Sequence, residues 1–226
     1  MQRYDRNKST ITKEDQVMLG KAKVCILGCG GLGGYVIEML SRIGIGSLTL
    51  VDGDVYDVTN LNRQLYSSPT CLGESKALIA CERVKEINDG VKVEYISEYI
   101  HQDNAHSILK GHDIVIDALD NIETKRFISN QCQIIGIPMI YGAIAGWYGQ
   151  VSTIFPGDRT MEQLYKSSSA KGKEQELGNP SFTPACIASI QVSEAIKLLT
   201  NKGEVLRNKF LFMNLLDNEY EIFTLQ

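Results

Sequence analysis

Gly28-Cys29-Gly30-Gly31-Leu32-Gly33 is the first stretch whose residue types and spacing could do chemistry. It is a G-x-G-x-x-G that follows an apolar run (23–27, KVCIL) and opens a helical pattern through Val36, Ile37, Leu40 and Ile43. Glycine is needed because such a turn is tight and a phosphate must come close to the backbone, where the helix start presents free N–H groups to the anion. Asp52 stands 22 residues beyond Gly30, at the carboxyl end of the next apolar run (47–51, SLTLV), well placed for the hydroxyls of a ribose. A lone glycine turn also serves packing, but strand, turn, helix and acid in this register point to nucleotide binding. The motif does not separate an adenine dinucleotide from ATP, so a dehydrogenase stays open at this point.

Other chemistry is thinner. The six cysteines, Cys25, Cys29, Cys71, Cys81, Cys132 and Cys186, form no C-x-x-C pair, which excludes a zinc ribbon or thioredoxin-type motif and leaves single thiols that behave as small buried hydrophobes. His101, His106 and His112 lack the i, i+4 spacing of a helical metal pair and read as surface residues. With 27 acidic against 23 basic side chains, the net charge of −4 argues against a general nucleic-acid or anionic-membrane surface. No apolar run reaches membrane-spanning length, and the polar start is unlike a signal peptide, so the expectation is a cytosolic protein.

The elements that must hold these residues alternate. Short apolar runs at 23–27, 47–51, 91–96, 113–118 and 138–141 read as strands, and helical patterns at 12–19, through Val36 to Ile43 with Gly44 as the stop, and at 75–87, 103–109 and 121–135 separate them. That order predicts an α/β fold with a doubly wound, mainly parallel, Rossmann-like sheet. The last third reads as an antiparallel extension: a strand at 150–155, a long aperiodic loop at 157–185, an amphipathic helix at 186–199 and a hairpin over 209–215 and 220–225. The whole of 1–226 is expected to be one domain, with an N-terminal arm and helix (1–22), a nucleotide-binding core (23–143) and the C-terminal part (144–226).

Several further motifs carry a resemblance. Asp52-Gly53-Asp54, Asn60-Leu61-Asn62-Arg63-Gln64 and Gly73-Glu74-Ser75-Lys76 resemble the D-x-D, N-L-x-R-Q and G-x-x-K run of the MoeB/ThiF/ubiquitin-activating family of adenylyltransferases. Arg3-Tyr4-Asp5-Arg6 is similar to its R-Y-x-R start, Leu119-Asp120-Asn121 to its (T/L)-D-N turn, Gly149-Gln150 to its G-Q strand, and 191–198 to its Q-x-x-E-A-I-K-x-L helix. The resemblance implies ATP-dependent activation of the C-terminal carboxylate of a small ubiquitin-like sulfur-carrier protein ending Gly-Gly, by a homodimer. It implies that Asp52 holds the ribose, that Asn60, Arg63 and Lys76 cradle the triphosphate, that Asp120 binds Mg²⁺, and that Arg6 reaches into the partner's site. Gln64 matches the motif without an assigned contact.

Each role has a plainer alternative. Asp120 could be an N-cap with Glu123 as its box partner; Lys76 could be a solvated helix lysine; Arg63 could be a surface ion pair. The chain also departs from the family, because the two C-x-x-C pairs that close a structural zinc site in many members are missing, so no structural zinc is expected. The loop 157–185 has no cysteine for a sulfur link and could clamp the carrier's tail or be idle, while Cys186 reads as core rather than catalytic. Three other readings are an activator of the same fold resembling tRNA threonylcarbamoyl-adenosine dehydratase, a nicotinamide oxidoreductase, and a non-catalytic scaffold. The N-L-x-R-Q form leans away from the first, the cationic loop from the second, and the intact set of Asp52, Arg63, Lys76 and Asp120 from the third.

Overall fold

The computed structural model describes residues 2–7, 9–165 and 177–225. Eight strands form one sheet in the order β3-β2-β1-β4-β5-β6-β7-β8. Strands β1 (Lys23–Leu27), β2 (Ser47–Val51), β3 (Lys92–Ile96), β4 (Ile114–Asp117) and β5 (Met139–Ala145) run parallel. Strands β6 (Tyr148–Ile154), β7 (Lys209–Asn214) and β8 (Glu219–Thr224) continue antiparallel from β5. This is the expected mixed α/β sheet. The strand order reverses between β1 and β4, which opens a crevice at the carboxyl ends of the parallel strands.

One face of the sheet packs against helices α1 (Lys13–Leu19), α2 (Gly31–Ile43), α3 (Lys76–Ile87) and, in chain order the last, α7 (Phe182–Thr200). The other face carries α4 (Ala105–Leu109), α5 (Ile122–Ile135) and α6 (Thr160–Leu164). Local chemistry sets the helix limits. Thr12 and Asp15 form a capping box on α1, Ser75 caps α3, and Gly44 and Gly136 stop α2 and α5 in the left-handed conformation. Five of the six cysteines are buried, and Cys186 is half-buried.

The C-terminal third differs from expectation in its boundaries. Strand β5 continues through Gly142 and Ala143 to Ala145, because Gly142 leaves room for the Gln191 side chain, which would lie 2.4 Å from a Cβ there. Helix α7 begins at Phe182 rather than 186, since Pro184 sits in its first turn, where no N–H is missed. Part of the loop expected at 157–185 is therefore helical, in α6 and in the start of α7. Residues 166–176 of that loop lie outside the described residues. The motif helix is a structural clamp. Gln191, fully buried, donates to the main-chain oxygens of Asp117 and Ile140, and Glu194 accepts from Thr153 Oγ1 and the Leu206 N–H. His112 departs from the surface reading, as its Nε2 lies 2.8 Å from Thr49 Oγ1 in a half-buried position. No helix among the described residues is long and apolar enough to cross a membrane.

Candidate active site

A cavity of about 410 Å³ opens at the crevice. Its lining includes Gly28, Gly30 and Gly31 from the first turn, Asp52 and Asp54 after β2, Arg63 and Gln64 from the following loop, Lys76 at the start of α3, and Asp120 after β4. Residues distant in sequence meet here because the loops after β1, β2, β4 and β5 all leave the sheet at the same end.

The glycines have two separate duties. Gly28 has φ +94°, and a Cβ on it would lie 2.6 Å from the Ala118 carbonyl oxygen; a Cβ on Gly33 would lie 1.8 Å from the Gly28 carbonyl oxygen. The turn itself demands these two. At Gly30 and Gly31 the nearest atoms to a Cβ are those of Gln64 at 3.4 Å and Arg63 at 3.7 Å, so the fold would tolerate a side chain there. What a side chain would fill is the cavity. Helix α2 has no side-chain cap at its start, which leaves its first N–H groups for a ligand. Gly33→Ala is expected to cost about 3 kcal/mol, on the order of 10 °C in Tm, because a backbone oxygen cannot step aside. A thermal melt checks this, and an unchanged Tm would refute the packing argument.

Asp52 accepts from the Cys29 N–H at 2.7 Å and the Asp54 N–H at 2.8 Å, which fixes its carboxylate beside the turn with lone pairs to spare. Burial raises its pKa above the ordinary carboxylate value, and those two N–H groups only partly offset the rise. Next to it, burial also pushes the Cys29 thiol well above its usual range, so that thiol is a neutral wall and no nucleophile.

Lys76 is 6% exposed, and its ammonium lies 2.9 Å from Asp54, so it is not the solvated lysine of the plainer reading. Asp54 also accepts from the Tyr99 hydroxyl. Burial works to raise Asp54, yet the hydrogen bonds from Tyr99 and Lys76 hold it below the ordinary value. Arg63 is half-buried and lays its stem over Gly31, with Nη1 donating to the Thr59 carbonyl at 2.8 Å and to Asn62 Oδ1 at 3.1 Å. It pairs with no carboxylate among the described residues, unlike the plainer reading.

Asp120 is exposed and reaches the cavity, and the N-cap of α5 is its neighbour Asn121, whose Oδ1 accepts the Thr124 N–H at 2.9 Å. The carboxylate is therefore not spent on capping. Asn60 departs from the expected triphosphate cradle. It is 7% exposed, its Oδ1 accepts the Asp57 N–H in a short capping turn, and it is not among the cavity-lining residues. Its part is to shape the loop that carries Arg63. Arg6 lies in a 3-10 segment, Gln2–Asn7, docked where α2 and α3 end: the Tyr4 hydroxyl abuts Gly44 and accepts from Asn88. That is the far end of α2, roughly 20 Å of helix from the cavity of its own chain.

Further polar side chains line the cavity. Gln64 is 7% exposed and its Oε1 has no hydrogen-bond partner, although it faces Gly30. Asn179 Oδ1 is likewise buried and unpartnered at the cavity wall. Buried polar atoms are rarely left so in a native protein unless something else satisfies them. Gln64 was marked by its motif, whereas Asn179 lies in an aperiodic stretch with no signal. The segment carrying Asn179 is pinned to the β5–β6 turn by the Gly146 N–H to Gly178 O bond, by Thr183 Oγ1 to Gly146 O, and by Trp147 against Phe182. Glu98, Tyr99 and Ile100, after β3, complete the wall near Asp52.

No three His, Cys, Asp or Glu side chains gather into a metal-holding group among the described residues. Asp120 and Asp54 suit a hard cation that takes one or two carboxylates and fills its shell with phosphate and water, which is how Mg²⁺ is usually held.

An uncapped helix start, the Asp52 carboxylate and two cations, Arg63 and Lys76, meet around one crevice of a doubly wound sheet, an arrangement suited to a phosphorylated nucleotide. The chain belongs to the ThiF family, whose profile matches residues 4–226. It is 32% identical over 226 residues to the SAMP-activating enzyme E1 of Haloferax volcanii, covering 98% of this chain and 84% of that one. The sulfur carrier protein adenylyltransferase of Thermus thermophilus is 31% identical, with 94% and 82% covered. In three dimensions the chain matches E. coli MccB, solved with ATP, at a TM-score of 0.84 and 22% identity over 99% of this chain and 70% of that one, a likeness of fold.

Proposed function

We propose that this chain is an ATP-dependent adenylyltransferase that activates the C-terminal carboxylate of a small ubiquitin-like sulfur-carrier protein, releasing pyrophosphate. The observation that carries the reading is the convergence of Arg63, Lys76 and Asp120 on one cavity with the start of α2 and Asp52. The names of the two similar enzymes point to the same substrate class.

The chemistry fits the lining. An ionised carboxylate oxygen attacks the α-phosphorus of ATP, the bond from that phosphorus to the bridging oxygen breaks, and pyrophosphate leaves with the electron pair. No proton has to move, and the cavity is lined by no histidine. What the step does need is neutralised phosphate charge and fixed geometry. In this reading Asp52 takes the ribose hydroxyls, and the N–H groups of Gly31 and Leu32 face the phosphates. Arg63 and Lys76 carry the positive charge, with Lys76 exchanging Asp54 for a phosphate oxygen. Asp120, with Asp54 near, would hold Mg²⁺, which supplies charge neutralisation on the triphosphate. Gln64 and Asn179 offer amides to the nucleotide or to the incoming tail, and the pinned segment around Asn179 is the tail's clamp. Arg6 serves the second subunit of a homodimer, since it stands a helix length from its own cavity. The cytosol, where unpaired thiols stay reduced, is the place for such a chain.

Mass spectrometry of a carrier ending Gly-Gly, incubated with this protein, ATP and Mg²⁺, tests the reading. The expected product is a carrier heavier by one AMP and labile to hydroxylamine, formed with wild-type carrier but not with one lacking its last glycine. Adenylylation of a tRNA instead, or stabilisation by NAD and not by ATP–Mg²⁺ in a thermal-shift comparison, would overturn it.

A further inference from the structure

Behind the cavity lies an ion pair that no motif marks. Lys125, on α5, and Asp117, the last residue of β4, are both fully buried. The Lys125 ammonium donates to both Asp117 carboxylate oxygens at 3.1 Å and to the Gly142 carbonyl at 2.7 Å, which uses its three protons. Asp117 Oδ1 also accepts the Leu119 N–H at 3.1 Å, and the Asp117 carbonyl accepts from Gln191. One residue later comes Asp120, then Asn121, whose carbonyl accepts the Lys125 N–H. The turn that carries Asp120 is thus gripped at its start by Gln191, at its middle by Asp117, and at its end by the first turn of α5. Lys125 ties all three to β5.

No hydrogen bond holds the Asp120 carboxylate itself among the described residues, so its place depends on the turn. A buried ion pair is a poor device for stability alone, because desolvation offsets most of the attraction and an apolar pair of the same volume often does as well. Its use here is geometric, since a fully satisfied network admits one arrangement of the turn. We propose that Lys125, acting through Asp117, is a positioning residue that sets the Asp120 carboxylate for the metal of the bound nucleotide. This rests on the reading of Asp120 as the Mg²⁺ ligand.

The test titrates Mg²⁺ into protein saturated with a non-hydrolysable ATP analogue and follows Tm, with the analogue alone titrated in parallel. Lys125→Met is expected to raise the Mg²⁺ midpoint by about tenfold or more, the usual effect of losing an outer-shell partner, while the midpoint for the analogue without metal moves less than about twofold. Where the single variant leaves Asp117 uncompensated and fails to fold, Asp117→Asn/Lys125→Met removes both charges and carries the same expectation. Asp120→Asn separates the two levels of the claim. If it shifts the Mg²⁺ midpoint and the Lys125 variants do not, or if they weaken nucleotide and metal alike, the positioning role is overturned and the Asp120 reading stands. If Asp120→Asn leaves the Mg²⁺ midpoint at the wild-type value, the metal reading fails and the positioning role falls with it.

Discussion

Arg63→Ala is expected to lower carrier-dependent exchange of labelled pyrophosphate into ATP by about 10²–10³-fold, on the order of 3–4 kcal/mol of transition-state stabilisation. The size follows from where the guanidinium sits. Its stem covers Gly31 at the uncapped start of α2, and Nη1 is tethered by the Thr59 carbonyl and Asn62. A cation held in that way costs no reorganisation when charge builds on the departing pyrophosphate. Arg63→Lys keeps the charge but loses the planar fork, and its loss of rate should fall between wild type and alanine. The Tm of both variants should stay within about 1 kcal/mol of wild type in stability terms, since the bonds lost are half-exposed. Exchange by Arg63→Ala within threefold of wild type would remove this residue from the phosphate site.

Asp120→Asn is the second large effect, a fall of about 10²-fold or more in the same exchange. The amide is nearly the same size, so what changes is charge at the position facing the nucleotide. Stability separates this role from the capping alternative. Because Asn121 supplies the cap of α5, losing the Asp120 charge should leave the melt within about 0.5 kcal/mol, whereas a lost cap costs about 1 kcal/mol. A variant that melts early but exchanges at the wild-type rate would reverse the assignment.

The first two strands were legible because each is a short apolar run ended by a glycine or an acid, Gly28 and Asp52. The limits of β1 and β2 match the runs 23–27 and 47–51 residue for residue. Legibility fails where a residue's role comes from a distant neighbour. Gly142 and Ala143 look like a loop, and only the buried Gln191 side chain explains why strand β5 runs through them. The helix expected from 186 starts earlier, at Phe182, with Pro184 inside the first turn of α7.

The site divides in the same way. Arg63, Lys76, Asp52 and Asp120 stood out by motif, and all four line one cavity. Asn60 stood out equally, but its amide closes a three-residue turn, a contact that spacing alone does not separate from a ligand contact. Lys125 was invisible because a lysine four residues past a helix cap normally faces solvent. Its burial is set by Asp117 and by the Gly142 carbonyl, one on β4 and one on β5. Asn179 lacked any pattern, since its position depends on the pinning of its segment to the β5–β6 turn.

The most direct measurement is a crystal structure of this protein with a non-hydrolysable ATP analogue and Mg²⁺. The triphosphate should lie across the start of α2 between Arg63 and Lys76, with the Lys76 ammonium drawn from Asp54 to a phosphate oxygen, the ribose on Asp52, and the metal on Asp120. Phosphates directed away from Arg63 and Lys76, or a metal held without Asp120, would contradict the account.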